Sequence, residues 1–505
     1  MSAIAPKVIS KEASELDFDY KTYNAPIYRF NQVTQTSSGG SALTLTTSNV
    51  QSIFTISPGP INLSRTYITL DLLVPANGVD QYTQVMDDCL PLDSIQLKPA
   101  VGQLLIDLQN AQPYTKVCQM LSLSMKEYMG RGPVYGDTAM GAAYPISQCS
   151  GCNPSWHPQA AARVTQQFVS ATPTSFPNDA GIVDLTATPA DADQKAYIAD
   201  VLNASHLSGS DVEPFGPQHW VVSGANAAMT VRFRIPLGVY YGTLLAVDKS
   251  IDFGQNLQLT LNWKPLSQWG FSGNVANLAT NAAANLTFTS LTNYYLYVAK
   301  DVSRHSQYIS ALVAPGGKGL RLIVPYLHYT TSNSSTAGAG QICDVQLTNA
   351  NGEFVKRVIT IPCNNDNTRK LTANNFNVNS IKWSQVQSSL NDQVLQDQPL
   401  VVSNSDVWNY AKHLLRDCPQ GMSQRTFDQN ALWIDNFSDC DSSAEFREND
   451  TKLSGLPIFA NNQKYTAKFT TVKANGLTFY QYIVYARVLV IKNGSIMYAS
   501  PGETL

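Results

Sequence analysis

Leu291-Thr-Asn-Tyr-Tyr-Leu-Tyr-Val298 and Leu477-Thr-Phe-Tyr-Gln-Tyr-Ile-Val484 read as two versions of one strand, far apart in a single chain. Both carry the aromatic and β-branched residues that a half-buried pleated surface favours. Each is preceded by a strand with a regular period of two. Leu257, Leu259 and Leu261 alternate with Gln258, Thr260 and Asn262, and Tyr465, Ala467 and Phe469 alternate with Thr466, Lys468 and Thr470. Val231, Phe233 and Ile235 alternate in the same way with Arg232 and Arg234. Such patterns predict antiparallel strands with one buried face and one wet face.

Further out, each half offers a helix. Ser405 can cap a helix with Asp406 in its first turn, apolar positions at Val407, Ala411, Leu414 and Leu415, and Lys412 and Arg416 near its end. Pro419 and Gly421 stop it. After Pro113, the residues Val117, Leu121, Met125 and Tyr128 share one face and Gly130 terminates the run. In each half a Pro-containing apolar segment follows, Ile235-Pro236-Leu237 or Leu456-Pro457-Ile458, then the regular strand, then the aromatic strand. This is a duplication of pattern. Its first copy is longer because the stretch from Gly130 to Val221, rich in Gly, Ala, Pro, Ser and Asp, reads as a loop insertion. Ala314-Pro-Gly-Gly-Lys-Gly319 is a breaker cluster that marks the join.

Length and composition agree with a two-domain β protein. A chain of 505 residues exceeds one ordinary core, and 44% hydrophobic residues are ample for two. Charged residues make up only 14%, against roughly a quarter in typical soluble domains. Asn, Gln, Ser and Thr supply the polarity, which leaves little charge repulsion between packed copies. Lys and Arg number 34 against 37 Asp and Glu, a net charge of −3, and the N-terminal segment carries Glu12, Glu15, Asp17 and Asp19. Phosphate binding needs clustered cations, so no direct nucleic-acid binding is expected. No secretory signal or membrane span is read in the chain. The Asn-x-Ser/Thr triplets at Asn62, Asn203, Asn285, Asn333 and Asn436 are then compositional, and the eight dilute cysteines are reduced thiols.

No residue set reads as a catalytic, cofactor or metal site. Cys149-Ser-Gly-Cys152 with His157 has the spacing of half a zinc site. Its partners would have to be Cys118 or Cys89, and free thiols in a loop are the reading taken. Asp435, Asp439, Asp441, Glu445, Glu448 and Asp450 form the densest acidic run. It loosely resembles a calcium loop but lacks the turn glycine, so it is read as a solvated inter-strand loop. Gly316-Gly-Lys-Gly319 has no Ser or Thr after its lysine and is a turn, not a phosphate cradle. No Gly-x-Ser-x-Gly elbow is present. The six histidines are scattered singly, and Trp220, Trp263, Trp269 and Trp408 read as core or interface fillers.

Two stretches are similar to a known family. Phe233-Arg-Ile-Pro-Leu-Gly-Val-Tyr-Tyr241, followed by the strand Asn256 to Trp263, resembles an apolar-Pro-Leu segment with paired aromatics that precedes a regular strand in the large-DNA-virus members. Tyr485-Ala-Arg-Val-Leu-Val-Ile-Lys-Asn-Gly-Ser-Ile-Met-Tyr498 resembles their closing strand. The family is that of the double jelly-roll major capsid proteins of the adenovirus, tectivirus and giant-virus lineage, with virophages and Polinton-like viruses. The resemblance implies an all-β chain of two tandem eight-stranded antiparallel jelly rolls, with a few short helices and long loop insertions. The expected layout is an N-terminal arm over 1–30, a first jelly roll over 31–300 with a tower insertion at about 131–220, a linker over 301–319, a second jelly roll over 320–494 and a tail over 495–505. It also implies a homotrimeric pseudo-hexagonal capsomer, neither enzyme nor cofactor binder, in the virion shell. Its partners would be neighbouring capsomers, penton and minor capsid proteins, and an internal membrane where one exists. A carbohydrate-binding or carbohydrate-cleaving β-sandwich is the alternative that the aromatics and Asn/Asp-rich loops permit, and the lack of a secretion signal weighs against it. An RNA-virus coat would call for a basic N-terminal arm, and this one is acidic.

Overall fold

The computed structural model describes residues 30–74, 81–85, 92–111, 114, 220–222, 229–266, 270–274, 284–285, 290–334, 342–347, 353–364, 383–391, 393–401, 406–415, 433–437, 456–458, 465–471 and 477–499. The first half contributes β1 (Phe30–Thr36), β2 (Leu43–Thr44), β3 (Val50–Ile56), β4 (Pro60–Val74), β5 (Gln81–Val85), β6 (Leu92–Pro99) and β7 (Ile106–Gln109). It continues with β8 (Trp220–Val222), β9 (Met229–Pro236), β10 (Ser250–Asp252), β11 (Leu257–Trp263), β12 (Gly270–Asn274), β13 (Ala284–Asn285) and β14 (Ser290–Asp301). Helix α1 (Arg304–Val313) follows. The second half has β15 (Leu320–Ser334), β16 (Ile342–Leu347), β17 (Glu353–Asn364), β18 (Trp383–Leu390), β19 (Gln393–Val394) and β20 (Leu400–Val401). After helix α2 (Asp406–Leu415) come β21 (Trp433–Asn436), β22 (Leu456–Ile458), β23 (Tyr465–Thr471), β24 (Leu477–Lys492) and β25 (Ser495–Ala499).

Both halves follow one wiring rule. In the first, one sheet runs β1-β14-β4 with β9 and β10 both on the far edge of β4, and the other runs β3-β11-β6-β7. In the second, one sheet runs β15-β24-β17 with β21 and β22 on β17, and the other runs β16-β23-β18 with β19 and β20 on β18. If the strands are numbered one to eight by chain order, each half has sheets 1-8-3-6 and 2-7-4-5. That is the jelly roll. Every named pairing is antiparallel, so no strand needs a long crossover within a sheet. Tyr294 of β14 packs on Phe54 of β3 and Trp263 of β11, which closes the first sandwich. Phe479 of β24 stacks on Phe469 of β23 and closes the second.

The sequence periodicities lie where they were read. Leu257, Leu259, Leu261 and Trp263 are buried on one face of β11, and Tyr465, Ala467 and Phe469 on one face of β23. Helix α2 covers the expected positions. A fifth sheet, β13-β12-β5-β8, is built from the connections between strands three and four, five and six, and seven and eight of the first roll. The tower insertion expected over 131–220 lies outside the described residues except for Trp220, which opens β8.

Three expectations are corrected. The join at 301–319 holds α1, entered through Ser303 in extended geometry. Residues 495–499, assigned to a tail, form β25. Asn493 and Gly494 have φ of 52° and 74°, the left-handed pair that a two-residue hairpin demands, and β25 folds back on Val488–Lys492 of β24. The two Pro segments are not counterparts either. Pro236 ends β9 opposite Tyr67, whereas Leu456–Ile458 pairs with the first residues of β17, the place that Ser250–Asp252 takes on β4.

Candidate functional site: the joint between the two jelly rolls

The joint is built where the edge of the first roll meets the closing strand of the second. From the first roll come the β6–β7 turn, Asn110, Ala111, Tyr114 and the turn at Tyr241–Gly242. From the second come β24, β25 and β15. Tyr482 of β24 and Tyr114 are both fully buried, with ring centroids 4.9 Å apart. The Tyr482 hydroxyl donates to the Asn110 carbonyl at 2.8 Å, and the Tyr114 hydroxyl donates to the Tyr241 carbonyl. Each ring thus buries an apolar body and satisfies its polar tip on backbone.

One glycine sets how closely the rolls approach, and a second sets how Tyr114 seats within the first roll. A Cβ on Gly102 would lie 2.8 Å from the Ile496 carbonyl oxygen, and one on Gly242 would lie 2.7 Å from the Tyr114 hydroxyl. Both also sit at positive φ, 133° and 77°, where side chains are disfavoured.

The strand β25 straps the rolls together. The Tyr498 hydroxyl donates to the Leu105 carbonyl at 2.8 Å, and the Tyr498 amide donates to Gln103 Oε1 at 3.2 Å. Gln255 Nε2 donates to both the Val101 and Gly494 carbonyls. Behind the strap the Arg487 guanidinium lies 3.9 Å from the Tyr326 ring centroid and 5.4 Å from that of Tyr498. Burial lowers the pKa of Arg487, partly offset by the two phenols, and an arginine stays charged regardless. Burial pushes the Tyr485 phenol up. Helix α1 adds a clamp: Ser310 Oγ donates to Asp252 Oδ2 at 2.6 Å, and the Gly319 amide donates to the Leu312 carbonyl.

A second polar cluster lies inside the second roll. Asp435 on β21 is 1% exposed. It accepts from Trp433 Nε1 and the Tyr410 hydroxyl, each at 2.9 Å, and from the Tyr465 hydroxyl. Desolvation raises its pKa, and those hydrogen bonds oppose the rise. The carboxylate joins α2, β21 and β23, and so bridges the two sheets. This corrects the reading of the acidic run: Asp435 is a core residue, and Asp439 to Asp450 lie outside the described residues.

The remaining sequence candidates sort as follows. Cys149, Cys152, His157, Cys89, Cys118 and Trp269 lie outside the described residues. Among the described residues no group of three or more His, Cys, Asp or Glu could hold a metal ion. Gly316 and Gly319 take positive φ in a turn, as the breaker reading implied. Trp263 belongs to the buried core, and Trp408 is partly buried and packed against the core. Asn62, one of the sequon residues, is buried with its amide on Asp248 at 2.7 Å, out of reach of a glycan. Sequence reasoning missed the joint almost entirely; its signal was the run of tyrosines in β24 and β25.

No family model matches the sequence, and no curated protein matches it. Solved structures do match. A chain of the PBCV-1 virus capsid aligns over 95% of this chain and 99% of its own, at 10% identity and a TM-score of 0.50. A chain in the structure of the Sputnik virophage aligns over 97% of this chain and 92% of its own, at 9% identity and a TM-score of 0.52. At such identities the likeness is one of fold, and it spans both halves. The chain therefore has the double jelly-roll fold found in these two virus structures.

Proposed function

We propose that this protein is a major capsid protein whose trimers form pseudo-hexagonal blocks of an icosahedral virus shell. The observation that carries this reading is the same 1-8-3-6 and 2-7-4-5 wiring in both halves, joined in one chain by a buried contact. Its match to nearly the full length of a PBCV-1 capsid chain supports it further. Two equivalent rolls per chain give a threefold assembly six similar units, enough to tile a plane. Heterologous contacts that close by threefold rotation end without an open filament. Low surface charge makes close apposition of copies inexpensive. In this layout 31–300 and 320–499 are the two rolls, with β25 on the edge of the second, and the 131–220 insertion is a tower continuing the fifth sheet.

Light scattering on the purified protein should give three times 55.1 kDa. Negative-stain images should show hexagonal blocks with projections on one face. A clean monomer at micromolar concentration would refute the reading, and hexagonal blocks with flat faces would refute the tower.

A further inference from the structure

The joint inside the chain has one half exposed on each roll, ready to be repeated between copies. Phe479 and Tyr294 point into their sandwiches, onto Phe469 and onto Phe54 with Trp263. By alternation along the strand, Tyr480 and Tyr482 of β24, and Tyr295 and Tyr297 of β14, point out. On the second roll this outward face is the floor of the joint, with Tyr482 fully buried beneath Tyr114. On the first roll the corresponding tyrosines are partly exposed. Tyr297 lies flat on Tyr67, centroids 4.9 Å apart at 11°, with Tyr295 edge-on at 6.4 Å.

The other half is repeated as well. The first roll enters the joint through its β6–β7 turn and the residues after β7. The matching parts of the second roll are the β18–β19 turn and α2. Just past that turn Val394 is 52% exposed and Leu395 is 41% exposed. These two apolar side chains lie at the place that the first roll uses to enter the joint.

We infer that the partner for both faces is a second copy of this chain: the β18–β19 turn and α2 of one copy seat on Tyr67, Tyr295 and Tyr297 of the next. The contact is heterologous, like the one within the chain, and under the threefold rotation of the capsomer it closes into a ring. It rests on the capsomer reading above and names the surfaces that reading leaves open. The strap has no counterpart here, because β14 runs into α1 and not into a hairpin. The contact between copies is therefore carried by the aromatic half of the joint.

The test uses two full-length variants, Tyr295→Asp/Tyr297→Asp and Val394→Asp/Leu395→Asp, each of which charges one face. Each alone should be a folded monomer with the wild-type circular dichroism, its self-association weakened about a hundredfold or more. Mixed in equal amounts they should form a dimer and nothing larger, because each supplies the face the other lacks. Should the tyrosine variant fail to fold, Tyr295→Ser/Tyr297→Ser takes its place. Variants that assemble like wild type, or folded monomers that do not pair on mixing, would overturn these surfaces while leaving the capsomer reading intact. Wild-type protein that is itself monomeric in the same assay would remove that reading, and this inference with it.

Discussion

Among single residues, Asn293 shows best what a sequence pattern conceals. A strict period of two through β14 would place Leu291, Asn293, Tyr295 and Tyr297 on one face. The structure buries Leu291, Tyr294, Leu296 and Val298. The phase changes at a bulge: Thr292 faces Asp71 and Tyr295 faces Thr69, so two residues of β14 oppose one of β4. Asn293 takes φ of 49°, and its amide donates to Asp71 at 2.6 Å, which holds the bulge. Tyr294 then swings into the core, where its hydroxyl meets Ser52 Oγ at 2.7 Å and accepts from Trp263 Nε1 at 3.0 Å. Tyr294→Phe keeps the ring and removes two hydrogen bonds, while Trp263 Nε1 and Ser52 Oγ keep longer ones to Ser52 Oγ and the Leu261 carbonyl, so it should cost about 1 kcal/mol in chemical denaturation; a change within error would show that the hydroxyl contributes nothing. Asp435 gives a pH signature. Its folded pKa is raised above the ordinary 3.8, so the folded protein holds the proton more tightly than the unfolded chain. Its contribution to stability is complete below that ordinary value and is lost as the pH rises through the folded one. As the pH rises from below that ordinary value, wild type should therefore lose stability relative to Asp435→Asn. Parallel profiles would mean that the carboxyl titrates alike in both states. Neither the bulge nor the burial of Asp435 could be read from the chain, because both depend on what the opposite sheet presents.

For whole elements, local signals served well where local physics decides and poorly where a distant partner does. β11 and β23 are plain alternation, and α2 has its acidic start and apolar face, so all three were legible. Helix α1 was hidden within a stretch that reads as a linker because of its Gly-rich end, although Ile309 and Val313 are spaced by one turn and both buried. β25 was hidden because it follows the expected last strand, although Asn493-Gly494 is the strongest short hairpin signal there is. That strand has a measurable consequence. Removing residues 493–505 deletes the hydrogen bonds of Tyr498 to Leu105 and Gln103 and one of the two rings around Arg487. The rolls should then unfold separately, so one calorimetric transition in the intact protein becomes two in the truncated one. A single transition at an unchanged temperature would show that Tyr114, Tyr482 and α1 suffice to couple them.

At the scale of the whole molecule, the duplication was legible because the aromatic closing strands recur, and the wiring was not, since strand order is set by pairing across long separations. What remains legible without any fold is charge, and it makes the last prediction. A protein that holds a genome through phosphates must offer several cations on one surface, each releasing a counterion. Here 34 Lys and Arg are set against 37 Asp and Glu. Several of the described cations are already engaged or enclosed. Arg65 pairs with Asp248 at 3.2 Å and lies over Phe30. Lys300 donates to Ser57 at 2.8 Å, Lys356 and Arg357 are buried, and Arg487 sits between two tyrosines. Cations that are buried or ion-paired are poorly placed to sit on phosphates and displace the counterions condensed there, so they add little to the salt-dependent part of binding. In a filter assay at physiological salt, duplex DNA should pass through with the protein in micromolar excess, and lowering the salt should raise retention only weakly. Tight retention that falls steeply with salt would mean that a cationic surface exists despite the balance of charge, and that the protein binds nucleic acid directly.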